Sequence, residues 1–279
     1  MDRKARLRTR DELLHAARQR VLLMGILNTT PDSFSDGGEY SAMDAALAHS
    51  VKMTAEGAAI IDVGGESTRP GAESVPEDEE RRRTIGLIRM LSNETAAPIS
   101  IDTYKAAIAR DAVAAGAVLV NDVWGMTRDP QMADVVATSE SAVVVTYNRG
   151  QMDEAINIVD DMSGFFNQAF DMANTAGIPK DHIWLDPGVG FSKTLQQNVE
   201  VLSRLDVLIE FGCPVLVGLS RKSLIGLTLN RDVGDRLAGT IGGHLAAVLS
   251  GARILRVHDV REHADALTMF ELTKAKSDG

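Results

Sequence analysis

Eight short apolar runs, at 21–27, 58–63, 98–101, 117–120, 142–145, 182–185, 214–219 and 253–257, recur along the chain. Each is rich in Val, Ile or Leu and lacks strict polar alternation. A strand with one wet face alternates, so runs like these mark strands covered on both faces, as in a parallel sheet. Helical spacing fills the intervals. Met43, Ala46, Leu47, Ser50 and Val51 line one face of a helix over 42–55. Pro76 followed by Glu77, Asp78 and Glu79 predicts another, with Pro at its first position and acids at its positive dipole end. Further helices are expected over 105–114, 130–137, 160–176, 194–210, 235–249 and 260–275. Eight consecutive strand–helix units favour a single closed (β/α)8 TIM barrel over an open doubly wound sheet. No Gly-x-Gly-x-x-Gly follows the first run, as a dinucleotide fold would want. The expected organisation is a short N-terminal cap over 1–20 and a barrel over 21–279.

Composition narrows the function classes. The net charge of −10 argues against nucleic-acid or anionic-membrane partners, which need basic surfaces. The single cysteine, Cys213, excludes an internal disulfide and fits a reducing cytoplasm. The first twenty residues are basic but include Asp2, Asp11 and Glu12 and lack an apolar centre, so they read as a cap and not as a leader. No apolar stretch is long enough to span a membrane. His15, His49, His182, His244 and His263 show no metal-ligand spacing and read as helix or strand residues.

In this fold the active site forms at the C-terminal strand ends. The first polar residues there are Asn28, Asp62, Asp102, Asn121, Tyr147, Asp186, Ser220 and Arg256. Loops seven and eight, Ser220-Arg221-Lys222-Ser223 and Arg256-Val257-His258, supply cations and hydroxyls where such barrels hold phosphate. Asp102, Asn121 and Asp186 offer carboxylates and an amide to a ring bearing adjacent N–H and C=O groups. The alternative for Asp102 and Asn121 is helix capping. Asp62 reads equally as site wall or structural acceptor. Asp186 precedes Pro187, with Gly188 and Gly190 allowing close approach of a ligand. The glycine-flanked stretch 64–71, with Arg69 inside it, suits a loop over the mouth.

Seven segments together resemble the dihydropteroate synthase family, from about residue 21 to about 272. They are Met24-Gly25-Ile26-Leu27-Asn28-Thr29-Thr30-Pro31-Asp32-Ser33-Phe34-Ser35, Ile60-Ile61-Asp62-Val63-Gly64-Gly65-Glu66-Ser67-Thr68-Arg69-Pro70-Gly71, Ser100-Ile101-Asp102-Thr103, Val120-Asn121-Asp122-Val123, Asp186-Pro187-Gly188-Val189-Gly190-Phe191, Ser220-Arg221-Lys222-Ser223 and Arg256-Val257-His258-Asp259-Val260. The resemblance implies condensation of a pterin methyl diphosphate with p-aminobenzoate, without an enzyme nucleophile. It implies that Asp102, Asn121, Asp186 and Lys222 hold the pterin. Asn28 would meet a Mg²⁺ on the diphosphate, with Thr68, Arg69, Arg256, Val257 and His258 around that anion. Phe191 and Ser223 would flank the aminobenzoate, and the later helices would form a homodimer.

One segment departs. After strand five the family commonly carries Met-His and then a longer loop, whereas this chain has Thr146-Tyr147-Asn148-Arg149-Gly150. The departure leaves two other readings open: a pterin-binding paralogue with little synthase activity, and a pterin-dependent methyltransferase on the same barrel.

Overall fold

The computed structural model describes residues 1–29, 39–67 and 72–274. Eight parallel strands alternate with helices: β1 (Leu22–Asn28), β2 (Ile60–Gly64), β3 (Ile99–Asp102), β4 (Leu119–Asp122), β5 (Ala142–Thr146), β6 (Ile183–Asp186), β7 (Leu216–Val217) and β8 (Ile254–Val257). Their order is β6-β5-β4-β3-β2-β1-β8-β7, and a parallel bridge between Leu185 and Val215 joins the two ends into a barrel. The helices are α1 (Arg3–Gln19), α2 (Glu39–Ala55), α3 (Glu77–Glu94), α4 (Ala106–Ala115), α5 (Met132–Ser139), α6 (Ile158–Ala176), α7 (Leu195–Ser203), α8 (Asp206–Ile209), α9 (Ser223–Leu229), α10 (Leu237–Leu249) and α11 (Val260–Lys274). Pro76 is the residue before α3, one position earlier than its composition predicts, and Glu77, Asp78, Glu79 and Glu80 fill the first turn.

The apolar runs lack alternation because the two strand faces meet two different cores. Leu23, Ile61, Val63, Ile101, Val120, Val143, Val145, Leu185, Val217, Leu255 and Val257 pack with the helices. The opposite parity, with Leu22, Met24, Ile60, Leu119, Ala142, Val144, Trp184, Leu216 and Ile254, fills the barrel interior. Following that inner parity one step further along each strand gives Asp62, Asn121, Thr146, Asp186 and Arg256. The side chains that line the mouth are therefore the top layer of the inner core.

α1 closes the other end. Leu13, Leu14 and Ala17 join the interior cluster. Arg6 Nη2 donates to Ser139 O at 2.5 Å and Arg10 donates to Glu140 O, so two cations meet carbonyls at the C-terminal end of α5. This is where the helix dipole favours positive charge. Leu13 is 4% exposed. Leu13→Ala should lower the unfolding free energy by about 2–4 kcal/mol through transfer and cavity costs. Denaturant unfolding checks this, and ligand affinity at the far end of the barrel should be unchanged.

Candidate active site

The mouth is organised by one guanidinium. Arg256, on β8, donates from Nε to Asp62 Oδ2 and from Nη2 to Asp102 Oδ2, both at 2.6 Å. Asn121 Nδ2 donates to the same Asp62 oxygen at 3.0 Å. Asp62 therefore fixes the Asn121 amide with its nitrogen inward and its oxygen toward the mouth. Asp62 Oδ1 and Asp102 Oδ1 are buried and have no hydrogen-bond partner among the described residues. Arg256 Nη1 makes no bond to a described residue either, which leaves a donor edge on the cation.

Charge balance follows from burial. Burial raises the Asp102 carboxyl to about 7, against the pull of Arg256 and with help from Asp62. Burial opposes the Arg256 charge, but Asp62 and Asp102 outweigh it and hold the guanidinium protonated. Asp186, with Oδ1 accepting from Gly188 N at 2.7 Å, is also raised by burial. Lys222 is lowered to about 8 by burial, opposed by Asp186. Its Nζ donates to Val189 O and lies 4.9 Å from the Phe191 ring centroid.

The structure brings Asp62, Asp102, Asn121, Asp186, Lys222 and Arg256 to one mouth. Neither Asp102 nor Asn121 caps a helix. Residue Lys105 precedes α4 without a side-chain cap bond, and Asp129 Oδ2 accepts from Ala106 N instead. Ser220 Oγ meets His258 Nδ1 at 2.9 Å and accepts from His258 N at 3.2 Å, tying the two basic loops together. Ser223 is exposed at the start of α9 and Phe191 is half-buried. Asn28 ends β1 with its side chain exposed. Val257 is fully buried in the outer core, so its side chain does not line the mouth. Thr68 and Arg69 lie outside the described residues, as does 30–38.

Strand five corrects the sequence reading. The inward polar residue is Thr146, 1% exposed with Oγ1 unpartnered, and it lies beside Asp186 in register. Tyr147 has the opposite parity. Its ring packs in the outer core against Phe165 and Phe166, and its hydroxyl donates to Asp161 Oδ2 at 2.5 Å. It is no part of the mouth lining.

Several supporting residues escaped the sequence reading because they are scattered charges with no period. Lys105 Nζ donates to Glu66 Oε2 at 2.5 Å and Val75 O at 2.6 Å, gripping both described stems of the loop after β2, and to Glu80 Oε2 at 2.5 Å. Lys193 fills a similar place after β6. His244 and His263 do sit on helices, yet they form a buried relay. Leu219 N donates to His244 Nε2 at 3.0 Å, His244 Nδ1 meets His263 Nε2 at 3.0 Å, and His263 Nδ1 meets Asp259 O at 2.7 Å. The backbone N–H at one end and the carbonyl at the other require both rings neutral. Burial lowers both pKa values accordingly.

Arg256→Gln should leave Asp62 and Asp102 without their cation. Breaking such a buried pair costs about 3–5 kcal/mol. Burial already raises the Asp102 carboxyl to about 7 against the pull of Arg256, so without that cation the variant would bind a proton there on folding. Stability is then retained at low pH and lost as pH rises through that native value. Urea unfolding should show a larger loss relative to the parent at pH 8 than at pH 5.5.

The profile of the family described as pterin binding enzyme matches residues 24–258. The dihydropteroate synthase of Bacillus subtilis is 42% identical over 254 residues, 91% of this chain and 89% of that one. A solved dihydropteroate synthase from Clostridium difficile, crystallised in the presence of pteroic acid, superposes with a TM-score of 0.88 at 45% identity, covering 91% of this chain and 97% of that one. The enzyme from Xanthomonas albilineans with 4-aminobenzoic acid gives a TM-score of 0.88 at 44% identity, covering 92% and 94%. The β8 motif that carries the organising guanidinium lies inside the matched range, and with it the chain belongs to the pterin-binding enzyme family, among the dihydropteroate synthases.

Proposed function

We propose that this chain condenses a dihydropterin methyl diphosphate with p-aminobenzoate, giving dihydropteroate and diphosphate. The observation that carries this is the two-sided mouth. Acceptors from Asp102, Asn121 and Asp186 face donors from Lys222 and Arg256, which suits a ring presenting N–H groups on one edge and C=O or ring nitrogen on another. Identity of 42% or more to dihydropteroate synthases supports the same reading.

In the reaction the bond between the pterin methylene and the diphosphate oxygen breaks, and the oxygen keeps the electron pair. The aminobenzoate nitrogen bonds to the methylene and gives up a proton. The electron-rich pterin stabilises positive charge on that carbon, so no protein nucleophile is needed. Asp102 and Asp186 orient the ring, while Lys222 donates to it. Arg256 Nη1, His258, the start of α9, Thr68 and Arg69 would take the charge that grows on the leaving diphosphate. Phe191 and Ser223 would flank the aminobenzoate.

Asn28 fits a metal ligand on chemical grounds. It is exposed at the end of β1 and carries an amide oxygen, and no cluster of three or more His, Cys, Asp or Glu exists among the described residues to form an all-protein site. Mg²⁺ commonly takes few protein oxygens and completes its shell with substrate phosphates and water. Such an ion would neutralise the diphosphate charge. Strand five no longer favours a non-catalytic paralogue, because Tyr147 faces away from the mouth and only Thr146 lines it. A homodimer through the later helices is supported by exposed Leu227, Leu229, Leu249, Met269 and Leu272 on α9 to α11. No helix among the described residues is long and apolar enough to cross a membrane.

Diphosphate should be released only when both substrates are present, should stop with chelator and should resume with Mg²⁺. Asn28→Ala should weaken the pterin diphosphate much more than the free pterin. Full turnover in chelator would sink the metal assignment, and pterin binding without diphosphate release would sink the synthase reading.

Asp102 also gives the ring pocket a pH signature. Its carboxyl is raised to about 7 by burial, and a ligand N–H favours the ionised form. Binding a pterin analogue should therefore release a proton below that value and tighten as pH rises from 5.5 to 8. Asp102→Asn should flatten the profile and cost about 1.5–3 kcal/mol at pH 8. Calorimetry in buffers of different ionisation enthalpy reads both effects.

A further inference from the structure

The path from β6 to α7 is tightly wound. Gly188, Gly190 and Ser192 all take left-handed backbone angles, with φ of 65°, 86° and 47°. An L-residue such as Ser192 adopts that region only at a steric cost, because its Cβ crowds the following carbonyl oxygen. A Cβ on Gly188 would stand 1.9 Å from Tyr147 O, so the loop lies directly on the chain leaving β5. Such a path persists only where neighbouring groups hold it.

Lys193 supplies that hold. Its Nζ donates to Gly188 O at 2.9 Å, Tyr147 O at 3.1 Å and Phe191 O at 3.2 Å. It also lies 4.2 Å from the Tyr147 ring centroid, where a cation is attracted. An ammonium has three donors and all three are used. A neutral amine has two donors and a lone pair, which would leave one carbonyl facing that lone pair. Lys193 is 6% exposed, so water cannot readily replace the missing bond. The acids that face it are Asp186 on β6 and Asp161 on α6, with Lys222 and Arg149 as opposing cations. Burial is the dominant effect and lowers its pKa to about 7.

The loop held this way supplies two contacts of the Lys222 ammonium, the Val189 carbonyl and the Phe191 ring. We propose that Lys193 is a positioning residue for the condensation, fixing the 188–192 path so that Val189 and Phe191 hold Lys222 and wall the aminobenzoate position. This rests on the synthase reading for the identity of the second substrate. The hold on the loop does not.

The test compares the protein with Lys193→Met, which keeps an apolar stem of similar length and removes the donors. Hydrogen exchange over 187–193, corrected for intrinsic rate, should show protection lost in the variant. In the parent, protection should fall between pH 6 and pH 8.5 as the ammonium is titrated, and in the variant it should be flat. The KM for p-aminobenzoate should rise about tenfold with kcat within about threefold, the pattern of lost binding geometry and not of lost chemistry. Unchanged protection in a folded variant overturns the proposal, and so does lost protection with an unchanged KM. If Lys193→Met does not fold, Lys193→Gln takes its place in the same exchange and KM comparison, and unchanged protection there overturns the proposal. A parent that never releases diphosphate refutes the synthase reading instead, while the exchange comparison still reports on the loop.

Discussion

The mouth depends on two carboxylates sharing one guanidinium inside the barrel. Arg256 reaches from β8 across β1 to Asp62 on β2 and Asp102 on β3, and Asn121 on β4 closes onto Asp62. Burying two acids with one cation leaves an uncompensated negative charge, a costly arrangement for stability alone. It makes sense as a prepared site. Arg256 donates to one oxygen of each acid. The second oxygen of Asp62 has no partner among the described residues, and neither does Asp102 Oδ1, at a place where solvent is excluded. A ligand N–H meeting that oxygen gains a charge-assisted bond that water was not already making. Fixing Asn121 by the same acid turns an amide of ambiguous orientation into a defined acceptor.

Around this core, lysines hold backbone. Lys105, Lys193 and Lys222 each direct an ammonium at one or more main-chain carbonyls of the mouth loops. Glycine-rich loops gain close approach to a ligand by adopting left-handed turns, and those turns point carbonyls inward where water is scarce. A three-donor point charge on a flexible stem can satisfy several such carbonyls at once, which a planar guanidinium cannot easily do. Arg256 and the lysines therefore do different work: the fork organises side chains, and the ammoniums organise the chain itself.

The barrel was legible because every strand is covered twice, and strands covered twice read as unbroken apolar runs. The polar ends of those runs then gave Asn28, Asp62, Asp102, Asn121, Asp186 and Arg256. Register sets Asp102 level with Asn121, pairs Thr146 with Asp186, and sets Asp62 two residues lower, level with Ser100. At β5 the first polar residue reads as Tyr147 because Thr146 is β-branched and continues the strand, hiding its hydroxyl in the pattern. Alternation along the strand, applied from Val144, assigns Thr146 to the mouth. Lys105, Lys193, His244 and His263 were invisible for another reason. Their partners are backbone atoms or residues far along the chain, and no local spacing encodes such contacts.

Strand five then takes on a different meaning. Where the family commonly has Met-His, this chain divides the change between two cores. Thr146 replaces an apolar wall with a hydroxyl that is buried and unpartnered among the described residues, a local cost that a ring acceptor or donor could relieve. Tyr147 turns outward, packs on Phe165 and Phe166, and anchors its hydroxyl on Asp161, which also pairs with Arg149 at 2.8 Å. Its hydroxyl is held neutral, the pKa raised by burial and by Asp161. The outward residue thus bears on the loop after β6 through its ring and carbonyl, while the inward residue lines the mouth beside Asp186. A change that looks like one substitution of a dipeptide is physically two, and only the first of them alters the lining of the mouth.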